Sequence, residues 1–434
     1  MLRSSRTLLV GILQLLSMLI CGSGFVAAQT ETIIYSPQGT NDNYAAPSIW
    51  AKDKSGNLYG VTWFAPSYGT VFELSPAASG WTQTTLYSFQ GAPDGEEPSG
   101  LARDSVGNLY GTTVYGGSHH NSSCIGNCGI VFELSPAADG AWTETILYEF
   151  TGGTDGGNPF FGLVPDSSGN LYGVTRSGGS HHAGTVFKLS HSKGGWAFTR
   201  IYTFGDSGLS DQSAPSSNVA LDSAGNLYGT LPSSGSFQLG TVYKLTPSAS
   251  GDWQETILHE FGSTKNDGTE PFGGVTLDAK GNVYGTTSYG GGSCSLSSLG
   301  CGTVFALRPS ATGWKEAILY RFGGFPDASY PQVPLLLDKR GNLYGGAAGG
   351  SGTADICQLV GGCGTIFKLA HTPSGWTESV LYSFPGAPDG EQVSTSPIFG
   401  SGGLLYGGTE YGGTGQCTDI FGVLGCGAVY SLQP

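Results

Sequence analysis

Two histidine pairs are the residues with the clearest chemical potential in this 434-residue sequence. His119-His120 and His181-His182 both follow Gly-Gly-Ser, so they are expected at equivalent places in two neighbouring structural units. Imidazole nitrogens are common ligands of transition metals, and four of them on adjacent loops would be able to form a metal site. No carboxylate recurs at the same spacing, so two solvated loops are the alternative, and the sequence leaves the metal unassigned.

Three tyrosines that each precede a Gly-Gly pair offer a different chemistry. Tyr115, Tyr289 and Tyr411 would be able to stack on sugar rings, because tyrosine presents an apolar face and a polar tip. The alternative is a structural tyrosine that packs under a loop. Both readings place these side chains in loops, where binding residues are usually found.

Eight of the nine cysteines form close pairs in the sequence. Cysteines occur only in the longer examples of one recurring loop, which indicates local disulfides that restrain those loops in an oxidising compartment. Zinc ligation is the alternative, but the pairs fall in separate repeats. The predicted pairs are Cys124/Cys128, Cys294/Cys301, Cys357/Cys363 and Cys417/Cys426.

A tandem repeat must position all of these residues. Five copies of Gly-Asn-Leu-Tyr-Gly and two variants divide the chain into seven units, and Gly-Thr-Val-Phe-like segments and a tryptophan follow most of them. The motif tyrosines are Tyr59, Tyr110, Tyr172, Tyr228, Tyr284, Tyr344 and Tyr406.

Each repeat contains four short runs rich in β-branched and aromatic residues, bounded by Gly, Pro, Asp and Ser. In the second repeat, strands a, b, c and d are expected near 100–103, 108–113, 129–135 and 142–150. Four antiparallel strands per repeat predict an all-β, seven-bladed β-propeller. A linear β-solenoid is the alternative.

The two ends of the repeat array indicate how the ring closes. Residues 31–35 match strand d, whereas the last repeat stops after strand c. The first segment is therefore expected to complete the last blade, which would hide the open edges of the array.

This topology places the b–c and d–a loops together on one face of the ring. The d–a loops carry a recurring aspartate, which would be able to bind Ca²⁺ but is also common in turns. These aspartates are Asp42, Asp94, Asp155, Asp211, Asp267, Asp327 and Asp389.

The residues before the repeats have the pattern of a cleavable secretory signal. Arg3 and Arg6 precede an apolar stretch at 8–20, and small residues precede Gln29. The alternative, a lipoprotein signal at Cys21, is disfavoured because Ile20 is not small. We therefore expect a signal peptide at 1–28 and a single propeller domain at 29–434, secreted, periplasmic or at the cell surface, with no later membrane span or C-terminal anchor.

The combined motif resembles the GloVer tandem repeat of secreted bacterial proteins and, at the level of one blade, the more distant NHL repeat. The resemblance implies a bacterial envelope or extracellular protein. The resemblance carries over no catalytic residue.

Composition and motifs favour binding over catalysis. The net charge of −14 argues against nucleic acid, and no Gly-x-Ser-x-Gly, His-Glu-x-x-His or phosphate-binding loop occurs. The inner-strand positions that would carry metal carboxylates in a lactonase-type propeller are assigned to Trp50, Leu101, Leu163, Val219, Val275 and Leu335.

These features predict a monomeric, non-catalytic propeller without a cofactor. It would bind an extracellular polysaccharide or protein through the b–c/d–a face. A secreted hydrolase or lyase acting on a carbohydrate or lactone is the alternative.

Overall fold

The computed structural model describes residues 30–38, 45–64, 68–206, 213–350, 362–417 and 425–434. The predicted signal at 1–28 lies outside the described residues, as do Asp42, Asp211 and Cys357. Within the described residues, no helix is long and apolar enough to cross a membrane.

The chain forms seven antiparallel blades, which confirms the predicted all-β propeller. Strand β1 (Glu31–Tyr35) precedes the first complete blade. Blade 1 consists of β2 (Ser48–Lys52), β3 (Leu58–Thr62), β4 (Thr70–Ala77) and β5 (Gly80–Ser88), and blade 2 consists of β6 (Gly95–Arg103), β7 (Leu109–Gly116), β8 (Ile130–Pro136) and β9 (Trp142–Glu149). Blade 3 consists of β10 (Val164–Pro165), β11 (Leu171–Thr175), β12 (Thr185–Ser192) and β13 (Gly195–Thr203). Blade 4 consists of β14 (Ala220–Leu221), β15 (Leu227–Leu231), β16 (Thr241–Pro247) and β17 (Trp253–Glu260).

Blades 5 to 7 have the same order, with strand a shortened or split. They are β18 (Gly268–Thr269), β19 (Val275–Leu277), β20 (Val283–Thr287), β21 (Tyr289–Gly290), β22 (Thr303–Ser310), β23 (Gly313–Arg321); β24 (Ser329–Pro331), β25 (Leu336–Leu337), β26 (Leu343–Gly349), β27 (Thr365–Thr372), β28 (Gly375–Ser383); and β29 (Gly390–Val393), β30 (Ile398–Phe399), β31 (Leu405–Gly412), β32 (Ala428–Leu432).

The N-terminal strand completes the last blade, as the sequence predicts. Strand β1 pairs antiparallel with β32, and Glu31 lies opposite Leu432. The sheet order β1-β32-β31-β29 shows that β1 takes the outermost place, which strand d occupies in the other blades. Ser36 adds a hydrogen bond from its Oγ to the carbonyl oxygen of Gly427, at 3.3 Å.

Aromatic pairs hold neighbouring blades together. The phenylalanine that ends strand d of one blade meets an aromatic ring on strand c of the next, as in Phe89–Phe132 and Phe150–Phe187, both with ring centroids 5.1 Å apart. At the closure, Tyr35 lies 5.4 Å from Phe72. These buried rings form the core between blades.

The second glycine of the repeated motif makes room for the strand c ring. A Cβ at Gly173 would lie 2.5 Å from the ring of Phe187, which is closer than packed carbon atoms approach. The same crowding recurs at Gly285 against Phe305. The motif glycine is therefore a packing requirement of the blade.

Candidate functional site

The disulfides brace the b–c loops as predicted. Cys124–Cys128, Cys294–Cys301 and Cys417–Cys426 are formed. Cys363 is buried and disulfide-bonded, but its predicted partner Cys357 lies outside the described residues.

The d–a aspartates organise their own turns. Asp94 accepts hydrogen bonds from the Tyr87 hydroxyl at 3.2 Å and from the backbone N–H groups of Gln90 at 2.8 Å and Gly95 at 2.6 Å. Asp327 accepts equivalent bonds from Tyr320, Gly323 and Ala328. These contacts give the recurring aspartate a structural role in the turn.

A glutamate from the next blade lies near several of these aspartates. Burial and the charge of Asp94 raise the pKa of Glu144 to about 7. Burial and Asp327 raise the pKa of Glu378 to about 7. At the closure, burial and Asp389 raise the pKa of Glu31 to about 8. Each glutamate therefore retains its proton close to neutral pH.

The four loop histidines lie exposed and have separate partners. His181 Nδ1 lies 3.0 Å from Asp206 Oδ1, whereas His182 Nδ1 lies 3.0 Å from Ser123 Oγ in the neighbouring b–c loop. His119 and His120 are exposed in the preceding blade. Among the described residues, the one cluster with three metal-type side chains lies elsewhere, at His259, Asp267 and Glu316.

The expectation that Tyr115, Tyr289 and Tyr411 lie in loops was wrong, because they lie on strands β7, β21 and β31, where they are half-buried rather than fully exposed. Tyr289 packs edge-on against Tyr330, with ring centroids 5.3 Å apart. Tyr411 on β31 lies opposite Glu391 on β29. Tyr115 lines an open groove of about 660 Å³, shared with Tyr68, Gln90, Glu96, Ile125 and Asn127.

A central cavity of about 230 Å³ is the site that the sequence analysis missed. Blades 1, 2, 3, 6 and 7 all contribute side chains, and side chains from so many blades meet only near the ring axis. The lining lies along the first half of strand a and the last residues of strand b. These positions lead into the d–a and b–c loops, so the cavity lies towards the predicted binding face.

One side of the cavity is aromatic. Trp50, Trp63, Phe160 and Phe161 line it. Trp63 packs edge-on against Phe160 at 5.0 Å, and the Arg176 guanidinium lies 4.9 Å from the Phe160 ring centroid. Trp50 is 37% exposed, and its indole N–H donates to Ser48 Oγ at 2.8 Å. The indole ring of Trp50 is thus accessible to solvent, while the hydrogen bond to Ser48 fixes its N–H edge.

The other side of the cavity carries polar side chains among the apolar residues Val333, Ala348 and Val393. Gln332, Gln392, Ser394 and Glu410 come from blades 6 and 7. The side-chain amides of both glutamines make no hydrogen bond within the described residues, and the buried Ser394 Oγ also has no partner there. Buried polar atoms normally find partners, so the Ser394 hydroxyl is suited to a polar ligand, and the partly buried Gln392 and the exposed Gln332 belong to the same lining.

The assignment of Trp50 to the regular inner-strand position was wrong. Ile49 is opposite the motif residue Gly60, and the register shifts between Ile49 and Ala51. Leu101 occupies the corresponding place opposite Gly111 in blade 2. Blade 1 therefore carries one extra residue, and this β-bulge re-aims Trp50 into the cavity.

A signal for the cavity does exist in the sequence. The position four residues after each motif tyrosine carries seven different residues, although the position directly after that tyrosine is always glycine. Three of the variable residues, Trp63, Ala348 and Glu410, line the cavity. The full set is Trp63, Val114, Arg176, Pro232, Ser288, Ala348 and Glu410.

Solved structures of low sequence identity align with this chain. The extracellular domain of a candidate one-component system from B. thetaiotaomicron aligns with a TM-score of 0.53 and 10% identity, over 93% of this chain and 40% of that chain. A candidate 6-phosphogluconolactonase from Bacteroides uniformis aligns with a TM-score of 0.45 and 13% identity, over 90% of this chain and 100% of that chain. A PL25 ulvan lyase aligns with a TM-score of 0.47 and 12% identity, over 87% of this chain and 93% of that chain. These likenesses concern the fold alone.

Family membership follows from the repeat itself. No curated protein matches the sequence. The Gloeobacter/Verrucomicrobia repeat matches residues 24–220, 120–356 and 214–433, overlapping spans that cover nearly the whole chain. This confirms the resemblance expected from the motifs, and the chain belongs to the Gloeobacter/Verrucomicrobia repeat family.

Proposed function

We propose that this propeller is an exported, non-catalytic protein that binds an extracellular carbohydrate through its b–c/d–a face. The observation that carries the proposal is the two-sided central cavity, with indole and phenyl rings on one side and unpaired amides and a hydroxyl on the other. A sugar ring has the matching chemistry, because its C–H faces pack on aromatic rings and its hydroxyls need hydrogen-bond partners.

The size of the cavity supports a single ring as its occupant. Pockets for drug-sized ligands measure roughly 300–1,000 Å³, and this cavity is smaller, at about 230 Å³. A terminal monosaccharide unit of a longer chain would enter, and the rest of the polymer would remain outside.

The groove at Tyr115 offers a place for the adjoining units. Tyr68 is 43% exposed and Ile125 is 76% exposed, so the groove combines an aromatic and an aliphatic surface with the amides of Gln90 and Asn127. A rigid scaffold with exposed aromatic loop residues is typical of binding proteins.

The chemistry of the cavity favours binding over glycoside cleavage. Glu410 is the one carboxylate in its lining, whereas most glycosidases use two carboxyl groups that flank the bond. Export is supported by the disulfide-braced loops, since disulfides persist in oxidising compartments.

A glycan array followed by titration calorimetry tests the proposal. We expect Trp50→Ala and Trp63→Ala each to weaken binding at least tenfold, equivalent to about 1.4 kcal/mol. Tyr115→Ala should weaken binding of oligosaccharides more than of monosaccharides. Val106→Ala is the matched control, because Val106 is 78% exposed in an a–b turn on the opposite face.

Two results would contradict the proposal. Binding that survives both tryptophan changes, or that is lost in Val106→Ala, would place the ligand elsewhere. Turnover of a bound glycan that disappears in Glu410→Gln would instead identify the protein as an enzyme.

A further inference from the structure

The interface between blades 4 and 5 departs from a pattern that recurs around the ring. At three other interfaces, a tyrosine near the end of strand d donates to the following aspartate, and a glutamate from the next blade lies beside them. Described examples are Tyr87/Asp94/Glu144, Tyr320/Asp327/Glu378 and Tyr382/Asp389/Glu31. Between blades 4 and 5 the tyrosine is replaced, and the set is His259, Asp267 and Glu316.

The three side chains of this set converge on one point. His259 Nε2 lies 3.3 Å from Asp267 Oδ2 and 3.6 Å from Glu316 Oε1, and the three atoms lie within 4.8 Å of one another. Zinc ligands at 2.0–2.2 Å in a tetrahedral site are separated by roughly 3.3 Å. The side chains therefore need little movement to share one ion.

The surroundings hold these ligands in place. The Asp267 side chain is 1% exposed, and its carboxylate accepts hydrogen bonds from the N–H groups of Gly262 at 2.9 Å and Gly268 at 2.8 Å. The His259 ring packs edge-on against Phe261, with centroids 4.7 Å apart. Fixed ligands reduce the ordering that metal binding requires.

Glu316 has a carboxyl oxygen that is available to an ion, as do the equivalent residues Glu31, Glu144 and Glu378. Its Oε1 is buried and has no hydrogen-bond partner among the described residues. The side chains of His259 and Glu316 remain 12% and 13% exposed, so the cluster is not sealed from solvent.

The ligand types select the class of metal. One imidazole with two carboxylates suits zinc and similar transition metals, whereas Ca²⁺ and Mg²⁺ prefer oxygen ligands alone. Tyrosine in the equivalent sets keeps its hydroxyl proton at neutral pH and acts as a hydrogen-bond donor. The change to histidine replaces a hydroxyl donor with an imidazole nitrogen, which is a possible metal ligand.

We propose that His259, Asp267 and Glu316 bind one divalent transition-metal ion, of the zinc class, between blades 4 and 5. Three protein ligands leave the fourth position to water or to a ligand oxygen. The site lies at the d–a loop and is separate from the central cavity, so it does not depend on the proposed carbohydrate binding.

Metal analysis of the full chain tests the site, with the protein purified without a histidine tag. After equilibration with Zn²⁺ and dialysis, we expect one zinc per chain by mass spectrometry and a rise in melting temperature on addition of Zn²⁺. Co²⁺ should give visible absorption bands with the intensity of a tetrahedral site. All three signals should be lost in His259→Tyr, which restores the residue found in the other blades and so preserves folding.

A gain-of-site variant sharpens the test. Tyr320→His creates the same set with Asp327 and Glu378, and it should raise the zinc content to two per chain. Replacing His119, His120, His181 and His182 with alanine should leave the stoichiometry at one. The proposal is overturned if the parent protein holds no zinc, if His259→Tyr retains it, or if the loop histidine variant loses it.

Discussion

The a–b turns and the C-terminal ends of strand b differ in how far their residues are the same from blade to blade. In six blades, an aspartate in the a–b turn binds the backbone, an asparagine and the motif tyrosine; in blade 3, Asp166 accepts from Ser168, Asn170 and Tyr172. At the end of strand b, four residues after the motif tyrosine, no two blades carry the same residue. Residues that recur from blade to blade therefore build the blade itself. Residues that differ from blade to blade give the central cavity its particular lining.

The largest effect is expected at the most strictly repeated position. Gly173→Ala places a Cβ 2.5 Å from the Phe187 ring, so the strand c aromatic must move. We expect a loss of about 1–3 kcal/mol in unfolding free energy by chemical denaturation. Gly194→Ala is the control, since its Cβ would meet only Ser192 Oγ at 3.7 Å, and it should change stability by less than about 0.5 kcal/mol. Equal losses would show that the motif glycine is not a packing requirement.

The a–b turn network should give the next effect. Asp166→Ala removes four hydrogen bonds and leaves the hydroxyl of the buried Tyr172 unpaired, so we expect a loss of about 1–2 kcal/mol. Asp139→Ala is the matched control, because Asp139 is exposed and accepts from Ala141 N–H alone. A melting-temperature series compares the two variants, and similar shifts would refute the role of the network.

The two carboxyl types should respond to pH in opposite directions. Burial opposes the shift, but hydrogen bonds from Asn170 and the backbone hold the pKa of Asp166 below its usual value. Stability from Asp166 is therefore present above its unfolded pKa and is lost as pH falls. Glu144, with a pKa raised to about 7, contributes stability below pH 4.5 that is lost as pH rises through 7.

Glu144→Gln tests the contribution of Glu144 separately from that of Asp166. The uncharged amide imitates the protonated Glu144 side chain, which lies near Asp94 and the Tyr87 hydroxyl that donates to Asp94. Glutamine already occupies this position in blade 1, as Gln83. We expect unchanged stability at pH 5 and a smaller decline between pH 5 and pH 8 than in the parent protein. A pH profile that matches the parent would contradict the raised pKa.

The smallest change in stability is expected at the bulge in strand a of blade 1. Trp50 is 37% exposed and belongs to a bulge, so Trp50→Ala should alter unfolding free energy by less than about 1 kcal/mol. Glycan binding should nevertheless fall, as described above. A large loss of stability would show that the indole is a core residue and not a binding surface.

The sequence could predict what the repeats share. Motif spacing, strand composition and the displaced strand d sufficed for the propeller, its closure and the disulfides described. It could not place Trp50, because one inserted residue changes the face of strand a on which a side chain lies. The sequence analysis also missed the cavity, because its residues come from blades that are far apart in the sequence. It missed the His259 cluster because a single histidine replaces the tyrosine of a recurring pattern.

The pairing of β1 with β32 has a consequence for the order of folding. Ser36 and Gly427 meet across 391 residues of chain, and the entropic cost of joining two points grows with the logarithm of the segment between them. Blades 1 to 6 need only local contacts, whereas blade 7 must wait for both segments. Ring closure should therefore be a late, slow step, and until it occurs the unpaired side of β32 offers a docking edge to a β1 segment from another copy.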